Sequence, residues 1–104
     1  MLSKTFLKKG SCKVEFVLPE ALADGAQAVF LVGDFNDWDA TATPMTKLKG
    51  PRFKVAVELD LNREYAFRYL VNGIDWHNDP EADRYIDNPF GGQNSVVDTH
   101  PLAG

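Results

Sequence analysis

The chain has 104 residues, 44% of them hydrophobic, and a formal net charge of −4. That length holds one domain, and that apolar content supports one packed core, which excludes a disordered chain. The acidic balance excludes a nucleic-acid or anionic-membrane partner, each of which needs a basic face, and no run approaches the roughly 20 apolar residues of a membrane span.

Cys12 is the single cysteine, so no internal disulfide framework is available. The N-terminal stretch MLSKTFLKKGSC carries lysines but no apolar segment of signal-peptide length. The expectation is a cytoplasmic protein and one domain over residues 1–104, with a core from about 11 to 99 and short flexible termini.

Turn signals recur at the short spacing of an all-β sandwich. Cys12, Val14, Phe16 and Leu18 alternate with Lys13, Glu15 and Val17, predicting a half-buried strand that Pro19 ends. PEALADG has room for one helical turn. Ala28 to Gly33 is a continuous apolar run, as expected of a strand covered on both faces. A polar stretch from Asp34 to Lys47 follows. Phe53, Val55, Val57 and Leu59 alternate with Arg52, Lys54 and Glu58 in a third strand. A fourth spans Glu64 to Val71, with Tyr65, Phe67, Tyr69 and Val71 on one face. Asn72-Gly73 signals a hairpin, and Ile74 to His77 is its return strand. A loop rich in Pro, Gly and Asn runs from Asn78 to Gln93, and Ser95 to Asp98 is a last short strand. About six strands without a long helix predict an immunoglobulin-like β-sandwich. The predicted core is Val14, Phe16, Leu31, Phe53, Val55, Val57, Phe67 and Tyr69.

Two tryptophans sit beside turns, Trp38 in GDFNDWD and Trp76 in NGIDWHNDP. An average tryptophan fills a core about as often as not, but both of these have Asp and Asn neighbours. A flat apolar ring suits the C–H face of a pyranose, and two such rings at an angle would cradle a curved chain of glucose units. Arg68 has the opposite parity to the predicted core face. It is either an ordinary solvated arginine or a fork of donors for sugar hydroxyls. Asn94, in FGGQNS, is a turn residue or an amide that pairs with adjacent hydroxyls. The acidic groups Asp34, Asp37 and Asp39, and Asp79, Glu81 and Asp83, suit solvated or turn-capping roles better than calcium or a hydrolytic carboxylate pair. His77 and His100 lack metal-ligand spacing. No catalytic residue, metal or cofactor is expected.

The segments FLVGDFNDWD, Pro44-Met45, YAFRYLVNG, WHNDPEADRY and NPFGGQNSVV occur in order from about Ser11 to Thr99. They resemble carbohydrate-binding module family 48, which includes the glycogen-binding domain of the AMP-activated protein kinase β subunit and the N-terminal modules of branching enzymes and isoamylase. The resemblance implies an early-set immunoglobulin-like β-sandwich that binds α-1,4-linked glucans such as glycogen or starch without hydrolysing them. It implies stacking by Trp38 and Trp76. Arg68 falls where the kinase module has a sugar-contacting lysine, Phe90 where it has a leucine that inserts into the glucan curl, and Asn94 matches its hydroxyl-binding asparagine. Gly92 replaces a sugar-contacting threonine, and one extra residue precedes Trp76. Some family members instead serve as docking modules in larger enzymes, so a glycogen-metabolising enzyme or a kinase subunit is a second class of partner.

One consequence concerns register. A tight two-residue Asn72-Gly73 turn would set Tyr69 opposite Trp76 and send the indole to the core face, away from Arg68. A site that uses both therefore requires a loop of three or more residues, or a bulge, with Leu70 opposite Trp76.

Overall fold

The computed structural model describes residues 2–50 and 52–101; Met1 and residues 102–104, the ends of the expected domain, lie outside the described residues. Leu2–Phe6 forms β1 and Ser11–Leu18 forms β2. A four-residue helical turn, α1 (Glu20–Ala23), follows. Then come β3 (Val29–Gly33), a 3₁₀ turn at Asp34–Asn36, β4 (Thr46–Lys47), β5 (Phe53–Asp60) and β6 (Glu64–Val71). β7 (Asp75–His77), β8 (Arg84–Asp87) and β9 (Gln93–Asp98) complete the chain.

These strands form two antiparallel sheets, one ordered β1-β2-β5-β4 and the other β3-β6-β9-β8, with β7 also on β6. β3 pairs with residues 67–71 of β6, β9 with residues 64–67 and β7 with residues 69–71. A strand has two edges, so β7 and β9 share the edge opposite β3.

The period-2 pattern accounts for the core. Cys12, Val14, Phe16 and Leu18 are fully buried on one face of β2, and Phe53 and Leu59 of β5 join them. From the other sheet, Leu31, Phe67, Tyr69 and Val97 close the core. Phe67 sits edge-on to Phe16 at 5.0 Å and to Tyr69 at 5.7 Å between ring centroids, the arrangement aromatic quadrupoles favour. Val55 and Val57 are only half-buried against this cluster. The fold is an immunoglobulin-like β-sandwich.

Three strands lie where the sequence offers no clear signal. The N-terminal segment, expected to be loose, is instead β1, an edge strand paired with β2 from Leu2↔Phe16 to Phe6↔Cys12. It is clasped to the other sheet by Lys4 Nζ, 2.7 Å from the Asp83 carboxylate. β4 is two exposed residues borrowed from the polar stretch. β8 lies inside the expected long loop, because Arg84-Tyr85-Ile86-Asp87 is short and mostly exposed; Arg84 grips the Glu64 carboxylate with Nε and Nη2.

Candidate functional site

The strand β6 that sends Tyr65, Phe67, Tyr69 and Val71 into the core turns Ala66, Arg68 and Leu70 to the outer face. Their cross-strand neighbours share that face: Val32 opposite Arg68, Val96 opposite Ala66, and Ile86 opposite Asn94 on the β8–β9 pair. Val32, Leu70 and Val96 are buried there, so the sheet is covered on both sides, as the apolar run of β3 requires.

The β6–β7 hairpin decides where Trp76 goes. Val71 pairs with Asp75, Leu70 with Trp76 and Tyr69 with His77. The loop is therefore Asn72, Gly73 and Ile74, three residues, with Asn72 at φ 54° and Gly73 at φ 73°. Asn and Gly are the residues that adopt this left-handed region at least cost. The Asn72 side chain is tied back to the 25–28 segment. Its Oδ1 accepts from the Gln27 and Ala28 amides at 2.8 and 3.2 Å, and its Nδ2 donates to the Gly25 carbonyl. Trp76 therefore lies on the outer face with Arg68, is 42% exposed, and has the Arg68 guanidinium 5.9 Å from its ring centroid. That contact orients both groups and is worth about 0.5–1 kcal/mol at an exposed position. The Arg68 guanidinium makes no hydrogen bond or ion pair among the described residues, and its Nε is buried without an acceptor.

Trp38 arrives from a different direction. After β3, Asn36 staples the turn: its Oδ1 accepts from Gly33 N, and its Nδ2 donates to the Leu31 carbonyl and to Thr43 Oγ1, both at 2.9 Å. Gly33 is needed here, because a Cβ would stand 2.5 Å from the Ala66 carbonyl oxygen and 2.9 Å from the Phe67 Cβ. Asp37 and Trp38 both have φ 56°, a conformation that costs a non-glycine residue about 1–2 kcal/mol. The Trp38 amide donates to the Gly33 carbonyl at 2.9 Å, and its indole Nε1 donates to Asp34 Oδ1 at 2.8 Å. The indole, 37% exposed, thus offers its carbon faces and no free N–H.

The far wall is the β8–β9 turn. Asn88 Oδ1 accepts from the Phe90 and Gly92 amides at 2.9 and 3.1 Å, and Asn88 Nδ2 donates to Asn94 Oδ1 at 3.3 Å. This holds Asn94 against the sheet and leaves Phe90 at the tip, 94% exposed. Beneath β7, Asp79 is fully buried. Its carboxylate accepts from the Tyr69 hydroxyl at 2.8 Å and its amide donates to Ser95 Oγ. Burial, reinforced by that carboxylate, pushes the Tyr69 hydroxyl pKa well above its ordinary value.

Trp38, Arg68, Trp76, Phe90 and Asn94 all line one open groove of about 700 Å³ over a floor that includes Ala66 and Ile86. The volume falls within the range of ligand pockets. The acidic groups do not gather at one point. Asp34 holds Trp38, Asp39 takes the Thr41 amide and hydroxyl, Asp79 is in the core, and Asp83 pairs with Lys4.

Residues 13–91 match the family model described as carbohydrate-binding module 48, the isoamylase N-terminal domain. The chain belongs to this family. No curated protein sequence matches it. Among solved structures it is similar to ferric enterobactin esterase from Salmonella typhimurium, with 14% identity and a TM-score of 0.74. That match covers 97% of this chain and 35% of the esterase chain, so the module spans about a third of that protein's length, and the likeness is one of fold. The esterase acts on ferric enterobactin; the family of the present module is one of carbohydrate binding.

Besides the apolar residues Ala66, Ile86 and Pro89, three polar groove residues of the module escape the sequence reading. Asp34 counts there as a solvated or capping acid, which misses its bond to Trp38. Asp87 also lines the groove. Asn88 organises the Phe90 turn; the signal was available, since an Asn-Pro dipeptide before Gly-Gly favours a side-chain-capped turn. None of the described residues form a helix long and apolar enough to cross a membrane.

Proposed function

We propose that the module binds α-1,4-linked glucan (glycogen, starch or maltooligosaccharides) without cleaving it, as a single domain working in the cytoplasm. One observation carries the reading: the two tryptophans, Arg68, Phe90 and Asn94, which come from four separate segments, line the same groove. Trp76 and Trp38 stack on pyranose faces. Arg68 donates to sugar hydroxyls, Asn94 pairs with adjacent hydroxyls, and Phe90 projects into the curl of the chain. The solitary buried Cys12 is consistent with a reducing compartment.

Native gel retardation in glycogen, with tryptophan fluorescence under maltoheptaose titration, tests the reading. Wild type is expected to be retarded. Trp76→Ala should bind at least about tenfold more weakly, equivalent to ~1.4 kcal/mol, while losing under about 1 kcal/mol of stability because the ring is largely exposed. Wild-type mobility unchanged by glycogen and fluorescence unmoved by millimolar maltoheptaose would sink the proposal. Release of reducing sugar from amylose would overturn its non-catalytic part.

A second reading draws on the esterase comparison, in which a domain of this shape is about a third of a longer chain. On that reading the module docks on a glycogen-metabolising enzyme or kinase subunit and binds little or no sugar. The same gel separates the two.

A further inference from the structure

We infer that Asp34 is a positioning residue for carbohydrate binding, acting through Trp38 rather than by touching the ligand; this rests on the glucan-binding reading above. The Asp34 carboxylate bridges two elements. Oδ1 accepts from Trp38 Nε1 and Oδ2 from the Ala66 amide, each at 2.8 Å. The β3–β6 pairing ends at Gly33↔Phe67, and Asp34 takes the next amide beyond it, extending the ladder by a side chain. One oxygen is therefore anchored to the sheet that floors the groove, and the other sets the plane of the indole that walls it.

The anchor matters because the loop's other bonds hold the backbone, at Gly33, Asn36 and Trp38 N, and none of them holds the indole. The backbone of Trp38 and that of Asp37 are both left-handed, and with the indole 37% exposed packing covers only part of the ring, so the bond to Asp34 selects its rotamer. Stacking on a sugar ring needs the indole face at a fixed tilt, so an unheld ring must be ordered at the moment of binding, at an entropic cost. The same bond uses up the only side-chain donor of Trp38, which makes the contact of its ring apolar and leaves hydroxyl recognition to polar groove residues such as Arg68 and Asn94.

Asn at position 34 is the informative substitution. It has the same shape, but an amide has one acceptor oxygen and one NH₂ donor. Either way round, one of the two N–H groups meets another donor. The test is a double-mutant cycle with Trp38→Phe, which keeps an aromatic ring and removes the N–H. Affinity for glycogen is read by gel retardation and stability by thermal unfolding. Asp34→Asn should weaken wild-type binding roughly three- to tenfold, Trp38→Phe comparably, and the double variant no more than Trp38→Phe alone. Stability should fall in the wild-type background and much less in the Trp38→Phe background, where the amide of Asn at position 34 can turn its one acceptor oxygen to the Ala66 N–H. Binding losses that multiply in the double variant would overturn the inference, since Asp34 would then act on the ligand directly or on the fold in general. A second readout needs no sugar. In Trp76→Phe, Trp38 is the single tryptophan, and Asp34→Asn should diminish its near-ultraviolet circular dichroism; an unchanged band would also overturn the inference. If the wild type binds no glucan, the function reading fails, and the dichroism alone decides the role of Asp34.

Discussion

Tyr69 and Asp79 show how one buried hydroxyl supports a site it does not enter. Tyr69 is the inward-facing partner of His77 across the hairpin, and its hydroxyl reaches the carboxylate just beyond β7. Burial keeps the tyrosine neutral, so its folded pKa lies above the unfolded value near 10. Stability from the neutral form is then fully present below about pH 10 and is lost as pH rises past it. Tyr69→Phe should cost about 1–2 kcal/mol at neutral pH, by removing a donor to a buried carboxylate. The variant should also lose less melting temperature than wild type between pH 10 and 11. Thermal unfolding across pH 7–11 checks both, and a variant slope as steep as that of wild type would assign the alkaline loss to other groups. Of the residues singled out from sequence, Trp38, Trp76 and Arg68 were legible because their flanking polarity or strand parity set them apart from the core. Asp34 was not, since a carboxylate that orients an indole has the same local sequence as one that faces water.

At the scale of elements, the hairpin β6–β7 carries the argument. Pairing of Val71 with Asp75, across a three-residue loop, is what turns Trp76 outward. Deleting Ile74, which is 75% exposed, leaves Asn72-Gly73 as a two-residue loop of the favoured kind with the same strand partners. Leu70 should stay opposite Trp76, glycogen affinity should stay within about threefold of wild type, a difference of ~0.6 kcal/mol, and stability should not fall by more than about 0.5 kcal/mol. Loss of binding in a folded variant would mean that the loop itself, and not the register, supports the site. The alternation of β2, β5 and β6 was plain in the sequence because each has one apolar face. β1, β4 and β8 were hidden because they are edge strands, whose exposed residues have no pattern to keep.

For the whole molecule, the two faces of one sheet divide the labour. The inner face supplies the core with Leu31, Phe67, Tyr69 and Val97, while the outer face and two turns, the one after β3 and the one between β8 and β9, supply the groove. An open groove contacts few sugar units, so a single site should bind weakly, on the order of micromolar to millimolar. A branched polymer presents many chain ends, and immobilised or clustered module gains from simultaneous engagement. Surface-presented module should therefore hold glycogen more tightly than maltoheptaose, as plasmon resonance at several surface densities would reveal. Equal affinity per glucan chain at every density would count against a multivalent anchoring role.

Local information was enough for the strands with one apolar face, the turn residues Asn72 and Gly73, and the outward parity of Arg68, because alternation and left-handed preference are properties of a few consecutive residues. The ordered motifs also carried the family. Tertiary structure alone decided that the chain's first residues pair with β2, that β7 and β9 share one edge of β6, and that Trp38 is held by Asp34. The shared edge of β6 joins distant segments, and the carboxylate that holds Trp38 also reaches the Ala66 amide 32 residues away; β1 and Trp38 meet near neighbours in sequence, but their local pattern carries no mark of the partner. The groove exists only after those choices are made, since its walls come from loops that meet nowhere in the sequence.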